Sequence, residues 1–162
     1  MPQFPDVETC RKVQVDYTLK AADAFINHLA PELPKGKKFR FVFCSGKFAE
    51  WDQTKSLYFM EDTRRIKVSP YHKLPTEGKL TTLQGQVEEG LCNLADAHKD
   101  LFEVWCVRPS GILDADASWF SKFTGKSYGA MTDDQVARAM IHIASQGYPE
   151  RIIESDKLAQ LA

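Results

Sequence analysis

FRFVFC at Phe39–Cys44 and LFEVWCV at Leu101–Val107 are the two runs that decide the fold of this chain. Both are aromatic and β-branched on successive residues, so both faces are apolar. A strand covered on one face alternates apolar with polar, whereas a strand of a parallel sheet is covered on both. Each run is therefore expected to be a parallel strand between layers of helix. Pro31 and Pro34 precede the first run, followed by a basic loop at Lys35–Lys38; Pro109 and Gly111 close the second.

Working outward, Asp6 can cap a helix reaching about Leu29. Its expected apolar face is Val7, Cys10, Val13, Tyr17, Ala21, Ala24, Phe25 and Leu29. Thr132-Asp133-Asp134-Gln135 has the capping-box pattern and opens a helix carrying Val136, Met140, Ile143 and Ala144, stopped by Gly147. Arg151–Glu154 reads as a short last strand and Asp156–Leu161 as a terminal helix, while Trp119–Met131 reads as loop or short helix. Strand and helix alternate, which predicts an α/β fold with a mostly parallel sheet. A length of 162 residues suits one domain with a substantial core.

One segment breaks the pattern. Asp62–Lys67 and Gly85–Ala97 both look helical, but Val68–Gln84 between them holds Pro70, Pro75 and Gly78. Without those 17 residues, Ile66, Val87, Leu91, Leu94 and His98 fall at steps of four, four, three and four, one amphipathic helix. The codons permit a splice donor (GTAAGT) at Val68-Ser69, a branch sequence (CTGAC) at Leu80-Thr81 and an acceptor (TTGCAG) at Leu83-Gln84. Residues 68–84 are thus expected to be an insertion outside the helix, either a translated intron of 51 nucleotides (17 codons) or a flexible surface loop.

Charge and motifs exclude several classes. With 21 basic against 22 acidic residues there is no large field for phosphates, so nucleic acid is not an expected partner. No apolar stretch approaches the ~20 residues of a membrane span, and nothing near Met1 resembles a leader, so a soluble cytoplasmic chain is expected. Cys10, Cys44, Cys92 and Cys106 are scattered among apolar residues and read as buried, reduced thiols. No two glycines are separated by a single residue, which rules out a G-x-G-x-x-G turn. Gly85 and Gly90 have the spacing of a phosphate-binding loop, but Leu91-Cys92 follows where lysine and serine or threonine are needed. His28, His72, His98 and His142 make no metal motif, and no serine lies in a G-x-S-x-G elbow. Asp114 and Asp116 suit capping ahead of Ser118–Phe120, and Trp51, Trp105 and Trp119 suit packing.

The remaining candidates are positional. Cys44-Ser45-Gly46 ends the first parallel strand, where open α/β sheets place their ligands. Lys67 follows on a helix with Thr63 one turn before it. A strand-end serine and a helical lysine can make an alcohol-oxidising site; the alternative is a turn serine and a solvent-facing lysine beside Arg64 and Arg65. Arg108-Pro109-Ser110-Gly111 ends the second strand at the same sheet edge.

Taken in order, FRFVFCSG (Phe39–Gly46), EWDQ (Glu50–Gln53), DTRRIK (Asp62–Lys67), GQVEEGL (Gly85–Leu91), FEVWCVRPSGIL (Phe102–Leu113) and DDQVA (Asp133–Ala137) resemble the carboxyl-terminal half of an atypical or extended short-chain dehydrogenase/reductase. They look most like fungal NAD(P)-binding proteins of the nucleoside-diphosphate-sugar-epimerase type. The resemblance implies the second half of a Rossmann-like sheet, with the first βαβ units and their glycine-rich turn missing. It implies Ser45 on the substrate oxygen, Lys67 on the nicotinamide ribose and Arg108, Pro109, Ser110 and Gly111 bordering the nicotinamide; Thr63 stands where the family has its acid/base tyrosine. The implied activity is that of an NAD(P)-dependent oxidoreductase or epimerase acting on a small molecule, with NAD or NADP bound poorly and the chain inactive as this fragment. A non-enzymatic interaction module derived from a dinucleotide-binding fold is the alternative, and an unrelated small α/β hydrolase or transferase the third. An unpaired edge on Phe39–Cys44 would favour self-association.

Overall fold

The computed structural model describes residues 7–47, 49, 77–114 and 129–162. Helix α1 spans residues 7–29 and continues into a tight turn at Ala30–Glu32. Strand β1 is Phe39–Cys44, helix α2 Glu77–Ala97, strand β2 Phe102–Arg108, strand β3 Ile112–Leu113 and strand β4 Met131–Thr132. Helix α3 (Asp133–Gln146), strand β5 (Ile152–Glu154) and helix α4 (Ser155–Gln160) complete the order. The fold is α/β, with a parallel sheet in the order β1-β2-β5 and helices on both faces.

Both deciding strands form as expected. They pair in register from Phe39 opposite Phe102 to Cys44 opposite Val107. Alternation then sends Phe39, Phe41, Phe43, Phe102, Val104 and Cys106 to one face, against α1 and α2. Phe25 of α1 stacks on Phe39 with ring centroids 5.1 Å apart, and Phe102 lies 6.1 Å from Phe41. Val42, Trp105 and Val107 face the other way, into a core closed by Val136, Ala139 and Ile143 of α3 and Leu158 of α4. Arg40, the one charge within β1, reaches the carboxyl end of α3. It donates to the carbonyls of Ala144 (3.2 Å) and Ser145 (2.5 Å), where a cation complements the helix dipole. The two crossovers step the same way across the sheet, yet α2 and α3 lie on opposite faces, so they have opposite hands.

The capping box at α3 is present: Thr132 Oγ1 accepts from the Gln135 amide (3.3 Å) and Gln135 Oε1 from the Thr132 amide (3.0 Å). Gly147, with φ of 77°, ends the helix. Trp105 is a packing residue whose indole N–H donates to the Tyr148 carbonyl at 2.8 Å; Trp51 and Trp119 lie outside the described residues.

Four expectations need correction. The buried face of α1 is Val15, Ala22, Ile26 and, in the turn that follows, Ala30, while Val13, Tyr17 and Leu29 are exposed. Two stretches, Lys12–Asp16 and Phe25–Leu29, close with i→i+5 bonds such as Tyr17 N–H to Lys12 O. Each wider turn takes in an extra residue and rotates the face that follows. Helix α2 starts at Glu77, so 77–84 belong to the helix instead of an insertion outside it. Both prolines precede Glu77, and Leu80 and Leu83 extend the spacing of Val87, Leu91 and Leu94 backwards. Cys44, expected buried, is exposed at the strand end, while Cys92 and Cys106 are buried as expected. Lastly, the end of Trp119–Met131 is no plain loop: Met131 starts β4, which pairs in parallel with β3. Among the described residues no helix is long and apolar enough to cross a membrane.

Candidate functional site

The parallel sheet turns the carboxyl ends of β1, β2 and β5 to one edge. Bonds continue past the strands there: the Ser45 amide donates to Val107 O (2.9 Å) and the Lys47 amide to Pro109 O (3.2 Å). Ser45-Gly46-Lys47 therefore runs beside Arg108-Pro109-Ser110, and Ser155 leaves β5 next to them. A cavity of about 510 Å³ opens at this edge, lined among others by Lys47, Ser110, Gly129, Thr132, Glu154 and Ser155. Its size and its place, outside the carboxyl ends of parallel strands, are those of small-molecule sites.

On the floor of that cavity a hydroxyl cluster ties three segments together. Ser110 Oγ and Ser155 Oγ are 3.1 Å apart, and both reach the Gly129 carbonyl, Ser155 at 3.0 Å. The Ser110 amide also donates to Ser155 Oγ at 3.3 Å. Two hydroxyl protons cannot fill all three hydroxyl contacts at once, so one of the three is without a proton at any moment. Gly129 is favoured as glycine by its φ of 73°, and a β-carbon there would also crowd Ser110 Oγ at 3.2 Å.

Arg108 is engaged by two carboxylates, one of which, Glu154, lines the cavity. Its guanidinium holds Glu88 of α2 in a two-bond fork, Nε to Oε1 at 2.9 Å and Nη2 to Oε2, and reaches Glu154 Oε1 with Nη1 at 3.0 Å. Glu88 is 0% exposed, so this is a buried ion pair. The hydrogen bond to Glu88 is the main cause that holds Arg108 above its ordinary pKa, burial opposing it. Arg108 thus positions the Pro109–Gly111 loop from beneath. Cys106, on the same face, has its thiol pushed up by its hydrogen bond with Cys92 and by burial, and stays protonated.

Ser45 is different. It is 7% exposed, and its Oγ is buried with no hydrogen-bond partner among the described residues. An unmatched buried hydroxyl costs about 1–3 kcal/mol, so it calls for a physical explanation. Gln84 of α2 lies beside it: a β-carbon on Gly46 would sit 3.1 Å from Gln84 Oε1 and 3.3 Å from Nε2.

Of the residues singled out from sequence, Ser45, Pro109, Ser110 and Gly111 meet at one edge, and Arg108 lies beneath it. Thr63 and Lys67 lie outside the described residues, as does Asp116. Sequence reasoning missed Gln84, Glu88, Gly129, Glu154 and Ser155. Glu88 carried a signal, an acid beside Val87 on the apolar stripe of its helix; the others are joined only by topology. Among the described residues no group of three or more His, Cys, Asp and Glu could hold a metal ion. Comparison with family models, curated proteins and solved structures gives no match for this chain.

Proposed function

We propose that this chain carries the substrate and nicotinamide side of an NAD(P)-dependent oxidoreductase or sugar-nucleotide-epimerase-like protein, centred on Ser45 and the Pro109–Gly111 loop. The observation that carries the reading is the orphaned Ser45 hydroxyl, buried at the carboxyl end of a parallel strand. Such a group is satisfied when a ligand oxygen arrives, and it then orients that oxygen by donating to it. The neighbouring loop, held by Glu88 through Arg108, supplies a fixed wall, and the hydroxyl cluster at Ser110 and Ser155 a polar one.

The residues do not fit a whole dinucleotide. The 162 residues contain no G-x-G-x-x-G, the motif whose backbone N–H groups cradle a pyrophosphate. Threonine, which Thr63 places where the resemblance calls for tyrosine, is a poor proton donor near neutral pH. The chain by itself is therefore read as binding the half-ligand weakly and as inactive in hydride transfer.

Nicotinamide mononucleotide, which lacks the adenosine half, is the suitable probe. Titrated at millimolar concentration, it should shift the backbone amide resonances of Ser45–Lys47 and Ser110–Gly111. Shifts confined to α1, or none, would overturn the assignment.

A second reading, a non-enzymatic interaction module, is favoured by the exposed pair Val13 and Tyr17, one turn apart on α1. A partner-binding surface there would respond to Tyr17→Ser and leave the sheet edge untouched.

A further inference from the structure

We propose that Cys92 of α2 and Cys106 of β2 are a redox pair, which a peroxide oxidises to a disulfide that ties the helix to the sheet. Their chemistry is independent of the ligand read at the strand ends. Helix α2 runs antiparallel to β2: the turn at His98–Phe102 joins the end of one to the start of the other, and Glu88, further back along α2, meets Arg108 at the far end of β2. Glu88, Cys92 and Asp96 follow at steps of four on one face of the helix, and Cys106 and Arg108 lie two apart on one face of the strand. Four residues of helix rise about 6 Å and two of strand about 6.6 Å. A helix joined to Arg108 through Glu88 therefore brings Cys92 over Cys106. The next step fixes the same register: the Cys106 amide donates to Arg151 O (2.7 Å), and Arg151 Nη2 reaches back to Asp96 Oδ1 at 2.9 Å. The thiols thus lie between two ion pairs that join α2 to the sheet, hydrogen-bonded to each other within one apolar cluster.

The two sulfurs differ in access and in charge. Cys106 is fully buried, whereas Cys92 keeps 8% of its surface and has the Arg151 guanidinium beside it. The bond from Cys106 and the Arg151 charge hold the Cys92 thiol below its ordinary pKa, against its burial. Cys92 is therefore the sulfur that attacks. Its thiolate takes one peroxide oxygen: an S–O bond forms, the O–O bond breaks, and the departing hydroxide becomes water with the proton that Cys92 gave up. The Cys106 sulfur then attacks the sulfenic sulfur; the S–S bond forms, the S–O bond breaks, and hydroxide leaves as water with the Cys106 proton. Two electrons pass from the thiol pair to the peroxide. A dithiol reductant reverses the change by exchange. The bridge closes the short loop 92–106 and fixes α2 one turn from Glu88, whose fork with Arg108 holds the Pro109–Gly111 loop.

Cys10→Ser with Cys44→Ser removes the other two thiols and leaves the pair as the chain's only cysteines. Treated with a slight excess of hydrogen peroxide, this chain should lose both free thiols together, and its digest should contain a cross-linked peptide joining residues 92 and 106. Its melting temperature should rise by roughly 5 °C, as a bridge over a short loop gives in a chain of this size. Dithiothreitol should restore both the thiols and the original melting temperature. Cys106→Ala leaves Cys92 without a partner, so dimedone should capture its sulfenic acid, while Cys92→Ala should leave Cys106 an unreacted thiol. The same cross-link is expected in the unsubstituted chain, so the result stands even where a core variant does not fold. Both thiols still free after peroxide, sulfinic acid at Cys92 in the intact pair, or links between chains in place of within one would overturn the redox pair.

Discussion

Ser45 and Arg108 sit side by side at the ends of neighbouring strands, and their side chains answer to opposite demands. Arg108 is fully engaged, in a fork with Glu88 and a further bond to Glu154. Breaking a buried pair leaves the other charge unmatched, so Glu88→Ala should cost about 3–5 kcal/mol by denaturant unfolding. The paired change Glu88→Leu with Arg108→Met should cost clearly less than the two single changes together, because no lone charge remains. Equal, additive costs would show that the fork is not a coupled unit. Ser45 was legible in sequence because a strand end is a local signal, whereas the engagement of Arg108 depends on a residue 20 positions away on another element.

At the scale of elements, the local signals carried furthest. The strands at Phe39 and Phe102 and the capping box at Thr132 each rest on a few adjacent residues, and each formed. The buried face of α1 did not follow, because a period of 3.6 residues cannot anticipate two wider turns within one helix. The start of α2 was misjudged for a related reason: the prolines were weighed against the whole segment 68–84, although both lie before Glu77. The contact of α1 with α2 is close at Gly90, where a β-carbon would come 2.8 Å from both methyl carbons of Leu19. Gly90→Ala should therefore destabilise by about 1–3 kcal/mol, despite alanine's better helix propensity, and Leu19→Ala should relieve much of that cost. A stabilising Gly90→Ala would mean that the Leu19 methyls turn aside at little cost.

At the scale of the whole molecule, β1 forms an edge of the sheet among the described residues. Among the described residues β1 pairs only with β2, and its other side presents unpaired backbone groups on an apolar strand. The purified chain should self-associate with rising concentration in light scattering. The amides of Phe39 and Ser45 are spent on β2, so by alternation that of Val42 points to the free edge; Val42→Pro, which removes it, should weaken the association if the edge is the contact. A monodisperse monomer at high concentration would contradict this. The same chain should show no saturable calorimetric binding of NAD(H) or NADP(H) at physiological concentration, since the sequence contains no G-x-G-x-x-G motif to hold the pyrophosphate. A micromolar constant would refute that. The function itself was not legible as a motif: the site is assembled from three strand ends that only the parallel topology brings together.

The central claim is that the Ser45 hydroxyl awaits a ligand oxygen, and Ser45→Ala tests it most directly. The variant should melt at the same temperature as the parent or slightly above it, because an unmatched buried hydroxyl has been removed. It should bind nicotinamide mononucleotide about tenfold more weakly, as the loss of one hydrogen bond worth about 1.4 kcal/mol requires. Unchanged affinity, or a marked fall in melting temperature, would contradict the account.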